Sequence, residues 1–368
     1  MISEWACEFT IRDALLKMRA PKQPILHQDK LKVPEKYLRF ATPGVVAVYR
    51  ADKLKCARLV EIGAGIGGQT FAFAKVCKKV LAVESDKSSA NILIQNLKKL
   101  KIENVEVLVA DALSKNAIEK IKNFQPEIIF CDTERAEKGE RTLESIKPSI
   151  KKLLETFSLI TSKIAIEIPP FTKTENFDYN FEREFISLNN QLNRLTLYFN
   201  ELKQSDISAI SLPDREKIIN QPKSKISKIS NPEFLYVISP AIIVAGLLPE
   251  LSSKFSASVL ELNKPVLVSD KKINSNFLTG YKILTTCKNE QKEILQNLKN
   301  IGAERFRGGE DGAEQAGSRV GKIVLRYNIE PKDYWKVRNF YENQLSGNKE
   351  ISLFTDDKND KAILAEKF

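Results

Sequence analysis

The 368-residue chain contains one histidine, two methionines, two tryptophans and five cysteines, and these shortages remove whole classes of chemistry. With His27 the only imidazole, in a polar stretch that reads as surface, no paired-histidine catalysis and no histidine-based metal set can form. The cysteines, Cys7, Cys56, Cys77, Cys131 and Cys287, are scattered and form no C-x-x-C pair. They offer neither a zinc site nor a disulfide framework, which predicts no bound metal and reduced, mostly buried thiols. Long hydrophobic runs are also missing. The longest, YVISPAIIVAGLL from Tyr236 to Leu248, is interrupted by a proline, whereas a membrane-spanning helix needs roughly 20 apolar residues. The first twenty residues, MISEWACEFTIRDALLKMRA, interleave charges with apolar positions. That pattern argues against a secretory signal and predicts a cytoplasmic protein without membrane attachment.

What the chain has in excess is positive charge. Lys and Arg number 58 against 47 Asp and Glu, a formal net charge of +11, and such a bias attracts a large polyanion such as RNA. The hydrophobic content of 42% is ample for packed cores, and the length suits two or three domains.

Periodicity divides the chain. Residues 1–55 read as a helical lead-in that ends in RFATPGVVAVYRADKL, with Thr42-Pro43 marking a helix start. The runs ARLVEIG, KVLAVES, VEVLVAD, EIIFCD and KIAIEI are short, apolar and β-rich, and segments of helical period such as SSANILIQNLKKL separate them. Strands alternating with helices predict an α/β domain over 56–213 with a parallel sheet covered on both faces, and LNRLTLYFN and DISAISLP supply two further strands. The polar, lysine-rich stretch 214–232 reads as a linker. Beyond it lies a second α+β region, with strands in KPVLVS, YKILTTC and KIVLRYNI and helices in NEQKEILQNLKNIG and PKDYWKVRNFYENQL.

LVEIGAGIGGQTFAFA, from Leu59 to Ala74, combines a strand, a glycine turn and a helix start. Gly63, Gly65 and Gly68 have the G-x-G-x-x-G spacing of a dinucleotide site. Glu61, two residues before the turn, argues for a different ligand: a carboxylate there repels a pyrophosphate and suits S-adenosyl-L-methionine, which carries an ammonium and a sulfonium. Glu84, at the end of the second strand, suits ribose hydroxyls, and Asp111, after the third, suits an adenine amino group.

In order and spacing, EIGAGIGG, AVESD, VADAL and FCDTER resemble the class I S-adenosylmethionine-dependent methyltransferases, over about residues 57–212. The resemblance implies a Rossmann-like seven-stranded sheet. It implies that Gly63, Gly65 and Gly67 line the methionine part of the cofactor, Glu84 the ribose, and Asp111 with Ala112 the adenine. RFATPGVVAVYRADKL, CDTERAEKGER and the distal segments from GLLPELS to YWKVRNFYENQLSG are similar to a closer group of methyltransferase-like proteins. That similarity implies a ferredoxin-like segment over 233–280 and a THUMP-like, RNA-holding domain over 281–368, with tRNA as the expected partner.

Methyl transfer is an in-line displacement, so the protein's task is to position the acceptor and accept its proton. Enzymes that methylate exocyclic amines often carry Asp/Asn-Pro-Pro-aromatic at the end of the fourth strand. This chain keeps Asp132 but follows it with Thr133, Glu134 and Arg135. Asp132 and Glu134 are candidates for orienting the acceptor and taking its proton, and Arg135 for gripping a phosphate. Pro169, Pro170 and Phe171 of EIPPF can stiffen the backbone and stack on a base. Cys131 is a poor nucleophile candidate, since alternation sends it to the face opposite Asp132. In the distal region Arg307, Arg319 and Lys322 can follow a phosphate backbone; Tyr334 can stack, and Trp335 is expected to pack in the core. Two other readings remain: methylation of a protein or small molecule, and an inactive protein that binds cofactor and RNA.

Overall fold

The computed structural model describes residues 24–31, 33–38, 41–133, 146–172, 174, 177–221, 229–303, 319–356 and 358–368. After Asn220 the chain divides into two compact units.

In the first unit, helix α1 (Gly44–Lys53) begins directly after Pro43. The core strands follow: β1 (Arg58–Ile62), β2 (Lys79–Glu84), β3 (Val105–Val109), β4 (Ile128–Asp132) and β5 (Ile164–Ile168). Their apolar runs are continuous because β1, β2, β4 and β5 are covered on both faces. Between them lie α2 (Thr70–Val76), α3 (Lys87–Leu100), α4 (Lys115–Phe124) and, before β5, α5 (Ile150–Phe157). Local chemistry sets their ends: Asp86 caps α3 by accepting the Ser89 N–H at 2.8 Å, and Ser114 caps α4 through the Ala117 N–H at 3.4 Å. Four more strands complete the unit: β6 (Phe181–Leu188), β7 (Gln191–Phe199), β8 (Ile207–Leu212) and β9 (Glu216–Ile219).

The sheet runs β3-β2-β1-β4-β5-β7-β6-β8-β9. The first five strands are parallel, and β7 enters antiparallel between β5 and β6. The carboxyl ends of β1 to β5 therefore share one edge. Because Ile168 pairs with Leu195, the first residues of β7 extend past β5 on that same edge. On one face, Ala47, Ala51 and Leu54 of α1 join Ala72 and Phe73 of α2 over Leu59, Phe130, Ala165 and Tyr198. The segment read as a lead-in thus contributes α1 to the core of this unit.

Among the described residues the sheet has nine strands where seven were expected. The two unread strands are β6, FEREFISL, and β9, EKII. β6 is disguised by Glu182 and Glu184, both fully buried. Glu184 accepts from Tyr49 Oη at 2.8 Å, Lys53 Nζ at 2.7 Å and Tyr198 Oη at 3.1 Å, while Glu182 accepts from Ser208 Oγ at 2.5 Å. Buried charges persist only when paired in this way. β9 falls inside the polar stretch 214–232 and hydrogen-bonds β8.

The second unit contains β10 (Phe234–Ile238), α6 (Pro240–Ala245), α7 (Leu248–Phe255), β11 (Ser258–Glu261), β12 (Pro265–Ser269) and β13 (Leu278–Lys288). It continues with α8 (Gln291–Ala303), β14 (Val320–Leu325), α9 (Pro331–Glu342), β15 (Lys349–Asp356) and β16 (Lys361–Lys367). Its strands form one sheet, β11-β12-β10-β13-β16-β15-β14. β13 crosses position 280, where a division was expected, and pairs with β10 on one side and β16 on the other.

Trp335 is 61% exposed rather than in the core. Tyr334, Val337 and Tyr341 occupy the inward face of α9 instead, against Ile323, Leu325 and Leu353. Arg319 and Lys322, at the start of edge strand β14, are exposed. Arg307 lies outside the described residues.

Candidate functional site

β1 delivers the chain into the glycine turn at the carboxyl edge of the sheet. Gly63 sits at φ +78°, and a Cβ there would stand 2.3 Å from the Asp132 carbonyl oxygen, so the turn and the end of β4 touch through backbone. The Gly63 and Ala64 N–H groups donate to Val83 O at 2.9 and 3.2 Å, tying the turn to β2. Glu84 closes β2 and grips the same turn: its Oε2 accepts the Gly65 N–H at 2.7 Å and its Oε1 the Asp86 N–H at 2.7 Å. Each carboxylate oxygen keeps further acceptor capacity toward hydroxyl donors. Asp111 lies two residues past β3, exposed, with Oδ1 accepting the Leu113 N–H at 2.9 Å, and Ala112 beside it is buried. Glu61, Gly63, Gly65, Gly67, Glu84, Asp111 and Ala112 are thereby gathered at one edge.

Glu61 is the unusual member. Its side chain is buried, and Oε2 has no hydrogen-bond partner among the described residues. Burial pushes its carboxyl up to about 8, the nearby Asp132 and Glu84 carboxylates add to the rise, and the Thr70 hydroxyl and Arg50 oppose it. A buried acceptor with unmet capacity beside two other carboxylates calls for a ligand that brings positive charge and N–H or O–H donors. S-adenosyl-L-methionine brings an ammonium, a sulfonium, a ribose diol and an adenine amine, whereas a pyrophosphate would meet repulsion here.

On the neighbouring strands, Asp132 ends β4 with Glu167 of β5 as its register partner. Thr133 Oγ1 donates to Glu167 O at 2.7 Å and so stitches the two strand ends together. Pro169 and Pro170 are buried, Phe171 is half-buried, and the Thr172 N–H closes the turn onto Pro169 O at 3.0 Å. Glu134 and Arg135 lie outside the described residues. Cys131 is buried against Ile62 and Ile166, on the face opposite Asp132. Burial raises its thiol pKa above the ordinary range, which keeps it protonated and un-nucleophilic.

One residue at this edge escaped the sequence reading. Arg50 of α1 is completely buried, donates to Gln69 Oε1 at 2.9 Å and Thr196 Oγ1 at 3.4 Å, and forms an ion pair with Glu167. Its guanidinium carbon stands 4.7 Å from the centre of the Phe130 ring. Burial by itself lowers the guanidinium's pKa, but Glu167, Tyr198 and Asp132 outweigh it and the net direction is upward. Arg194 Nε lies 2.7 Å from the other Glu167 oxygen, so two arginines hold this carboxylate from both sides. The only sequence signal was spacing: Arg50 shares the i, i+3, i+4, i+7 stripe of Ala47, Ala51 and Leu54.

Residues 46–168 match the family described as ribosomal RNA adenine dimethylase. The chain is 47% identical over 68 residues to an inferred ribosomal RNA small subunit methyltransferase A of Methanosphaera stadtmanae, a match covering 18% of this chain and 25% of that protein. It is 32% identical over 131 residues to an inferred cobalt-precorrin-6B C(15)-methyltransferase (decarboxylating) of Methanococcus maripaludis, covering 35% of this chain and 65% of that protein. The chain thus spans about a quarter of the length of the first relative and under two thirds of the second. Its fold is similar to the crystal structure of a protein inferred to be a methyltransferase, from Porphyromonas gingivalis W83, with a TM-score of 0.70 and 15% identity over 100% of this chain and 97% of that one. Residues 46–168 are thus similar to an S-adenosyl-L-methionine-dependent methyl-transfer domain, and the Porphyromonas gingivalis protein shares the fold. The two curated relatives are named for unlike substrates, so the likeness marks the methyl-transfer domain and leaves the acceptor to other arguments.

Proposed function

We propose that the protein transfers a methyl group from S-adenosyl-L-methionine to RNA, with transfer RNA the first acceptor to test and ribosomal RNA the second. The observation that carries the reading is the buried Glu61 oxygen, unpartnered among the described residues, beside the Gly63 turn, in contact range of the end of β4 and within the segment that matches the ribosomal RNA adenine dimethylase family.

When bound, the cofactor supplies an electrophilic methyl group on a positively charged sulfur. The residues of this chain do the rest. Glu61 neutralises positive charge in a site of low dielectric, Glu84 accepts ribose hydroxyls while bracing the turn, and Asp111 with Ala112 frames the adenine. Asp132 orients the acceptor and takes its proton, with Glu134 assisting and Arg135 holding a phosphate. Pro169, Pro170 and Phe171 bound the acceptor side, Phe171 offering a ring for stacking. The departure from Pro-Pro-aromatic after Asp132 means that positioning of a base must come from elsewhere on this edge.

The RNA part of the reading draws on the net charge of +11 and on the exposed Arg319 and Lys322, to which Arg307 is added. Small-molecule methylation is the second reading, supported by the match to the cobalt-precorrin enzyme. Incubation of the full chain with methyl-labelled cofactor and total RNA, followed by nucleoside analysis, separates the two: a labelled nucleoside supports the first, and cofactor binding with unlabelled RNA supports the second.

A further inference from the structure

The register of β7 against β6 slips once. Ile186 pairs with Arg194, and the next residue of β6, Ser187, pairs with Leu192, which leaves Asn193 as the extra residue of a β-bulge. Bulges bend a strand and re-aim a side chain, and they recur beside active sites. This one lies past the end of β5, since Ile168 is opposite Leu195. Asn193 therefore stands on the sheet edge that carries the Gly63 turn and Asp132.

Asn193 is anchored through its backbone: Arg194 Nη1 donates to the Asn193 carbonyl at 3.1 Å, and Arg194 is itself fixed by Glu167. The side-chain Oδ1 is buried and has no hydrogen-bond partner among the described residues. Thr172, on the same edge in the turn that follows Pro169-Pro170, shows the same anomaly. It is 7% exposed and its Oγ1 is likewise unpartnered among the described residues. Folded proteins rarely leave such groups unmet, and two of them at one edge imply a ligand that completes them.

Chemistry indicates which ligand. The cofactor residues Glu61, Glu84 and the Asp111 loop belong to β1, β2 and β3, on one side of β4, and they are acidic. Asn193 and Thr172 lie on the opposite side of β4, beyond β5, and are uncharged. Amide and hydroxyl groups read the hydrogen-bonding edge of a planar, neutral heterocycle, and asparagine matches adjacent donor and acceptor atoms on a base.

We propose that Asn193, supported by Thr172, hydrogen-bonds the edge of the methyl-accepting base, its amide oxygen receiving an N–H of an amino-bearing base and so selecting which base is methylated. The proposal rests on the RNA reading above. It supplies the base-positioning element that the segment after Asp132 lacks.

The test uses the full chain, methyl-labelled cofactor and total RNA from cells lacking the protein, with wild type compared with Asn193→Ala and the near-isosteric Thr172→Val. Cofactor affinity and thermal midpoint are measured alongside. The Asn193 amide oxygen and the Thr172 hydroxyl bond nothing among the described residues, so folding and cofactor affinity stay at wild-type values. The expected result is a fall of about ten-fold or more in kcat/KM for RNA with Asn193→Ala, and a smaller fall with Thr172→Val. Labelling by Asn193→Ala equal to wild type overturns the role of Asn193 while leaving RNA methylation intact. A wild type that binds cofactor but labels no RNA overturns the acceptor class, and with it this inference. If Asn193→Ala proves unstable, Thr172→Val decides: wild-type kcat/KM overturns the proposal and a reduced value at unchanged cofactor affinity supports it.

Discussion

Arg50 of α1 and Glu167 of β5 meet as an ion pair in the interior, their side chains 0% and 5% exposed. The pair joins the segment before the first strand to the sheet edge that carries Asp132, because Glu167 is the register partner of Asp132 and Thr133 bonds its carbonyl. A buried pair of this kind adds little net stability over apolar packing, yet removing Arg50 leaves the buried Glu167 carboxylate with Arg194 alone and also breaks the bonds to Gln69 and Thr196.

Substituting Arg50 by alanine is therefore expected to destabilise the first unit by about 3–5 kcal/mol. Lysine restores charge without the planar fork that reaches Gln69, Thr196 and Glu167 together, so Arg50→Lys falls between. Urea unfolding followed by circular dichroism measures both. A loss under about 1 kcal/mol for the alanine variant contradicts the assignment.

Two glycines of the same turn separate backbone strain from close approach. Gly63→Ala places a Cβ 2.3 Å from the Asp132 carbonyl oxygen at φ +78°, whereas a Cβ on Gly65 at φ +55° meets nothing within 4 Å. Gly65→Ala should cost about 1 kcal/mol, the left-handed penalty alone, and Gly63→Ala distinctly more because β1 and β4 must part. Equal thermal midpoints for the two variants would be the contrary finding.

Glu61 gives the fold a pH dependence of definite sign. Its carboxyl titrates near 8 in the folded protein against the ordinary 4.5, so between those values the folded state retains a proton that the unfolded chain has released. The stabilisation associated with that proton is complete below pH 4.5, declines as pH rises and is gone above about 8. Glu61→Gln should flatten this slope. Cofactor affinity should rise from about pH 6 to 8 in wild type, as Glu61 ionises to meet a cation, and stay level in the glutamine variant. A Gln variant with the wild-type slope in denaturation assigns the effect to another group.

The exposed residues of the second unit yield a salt-dependence prediction. Replacing Arg319 and Lys322 by alanine should weaken RNA binding across sequences and reduce the slope of log affinity against log salt by about one for each phosphate no longer neutralised. Trp335→Ala, at a 61% exposed position, should change stability by at most about 0.5 kcal/mol. Filter binding at two salt concentrations reads the first; an unchanged slope removes this surface from the RNA reading.

Four of the five parallel strands, β1, β2, β4 and β5, were legible because burial on both faces writes them as apolar runs, and edge strand β3, VEVLV, was legible by its β-branched residues. Glu61, Glu84 and Asp132 were legible because a carboxylate that ends an apolar run has few structural reasons to be there. β6 was not, since Glu182 and Glu184 look solvent-facing until Lys53, Tyr49, Tyr198 and Ser208 arrive from distant parts of the chain to satisfy them. Trp335 was misplaced because helical spacing shows that a face is buried without saying which of two adjacent aromatics, Tyr334 or Trp335, occupies it. The partners of Arg50 and the bulge at Asn193 depend on tertiary pairing and register, which no local pattern encodes.

Calorimetric titration of the full chain with S-adenosyl-L-methionine and, separately, with NAD tests the central claim most directly, with Asp111→Ala as the companion variant. The geometry of Glu61, Glu84 and Asp111 predicts binding of the first ligand only, weakened by the substitution. Binding of NAD, or affinity for S-adenosyl-L-methionine unaltered in Asp111→Ala, would contradict it.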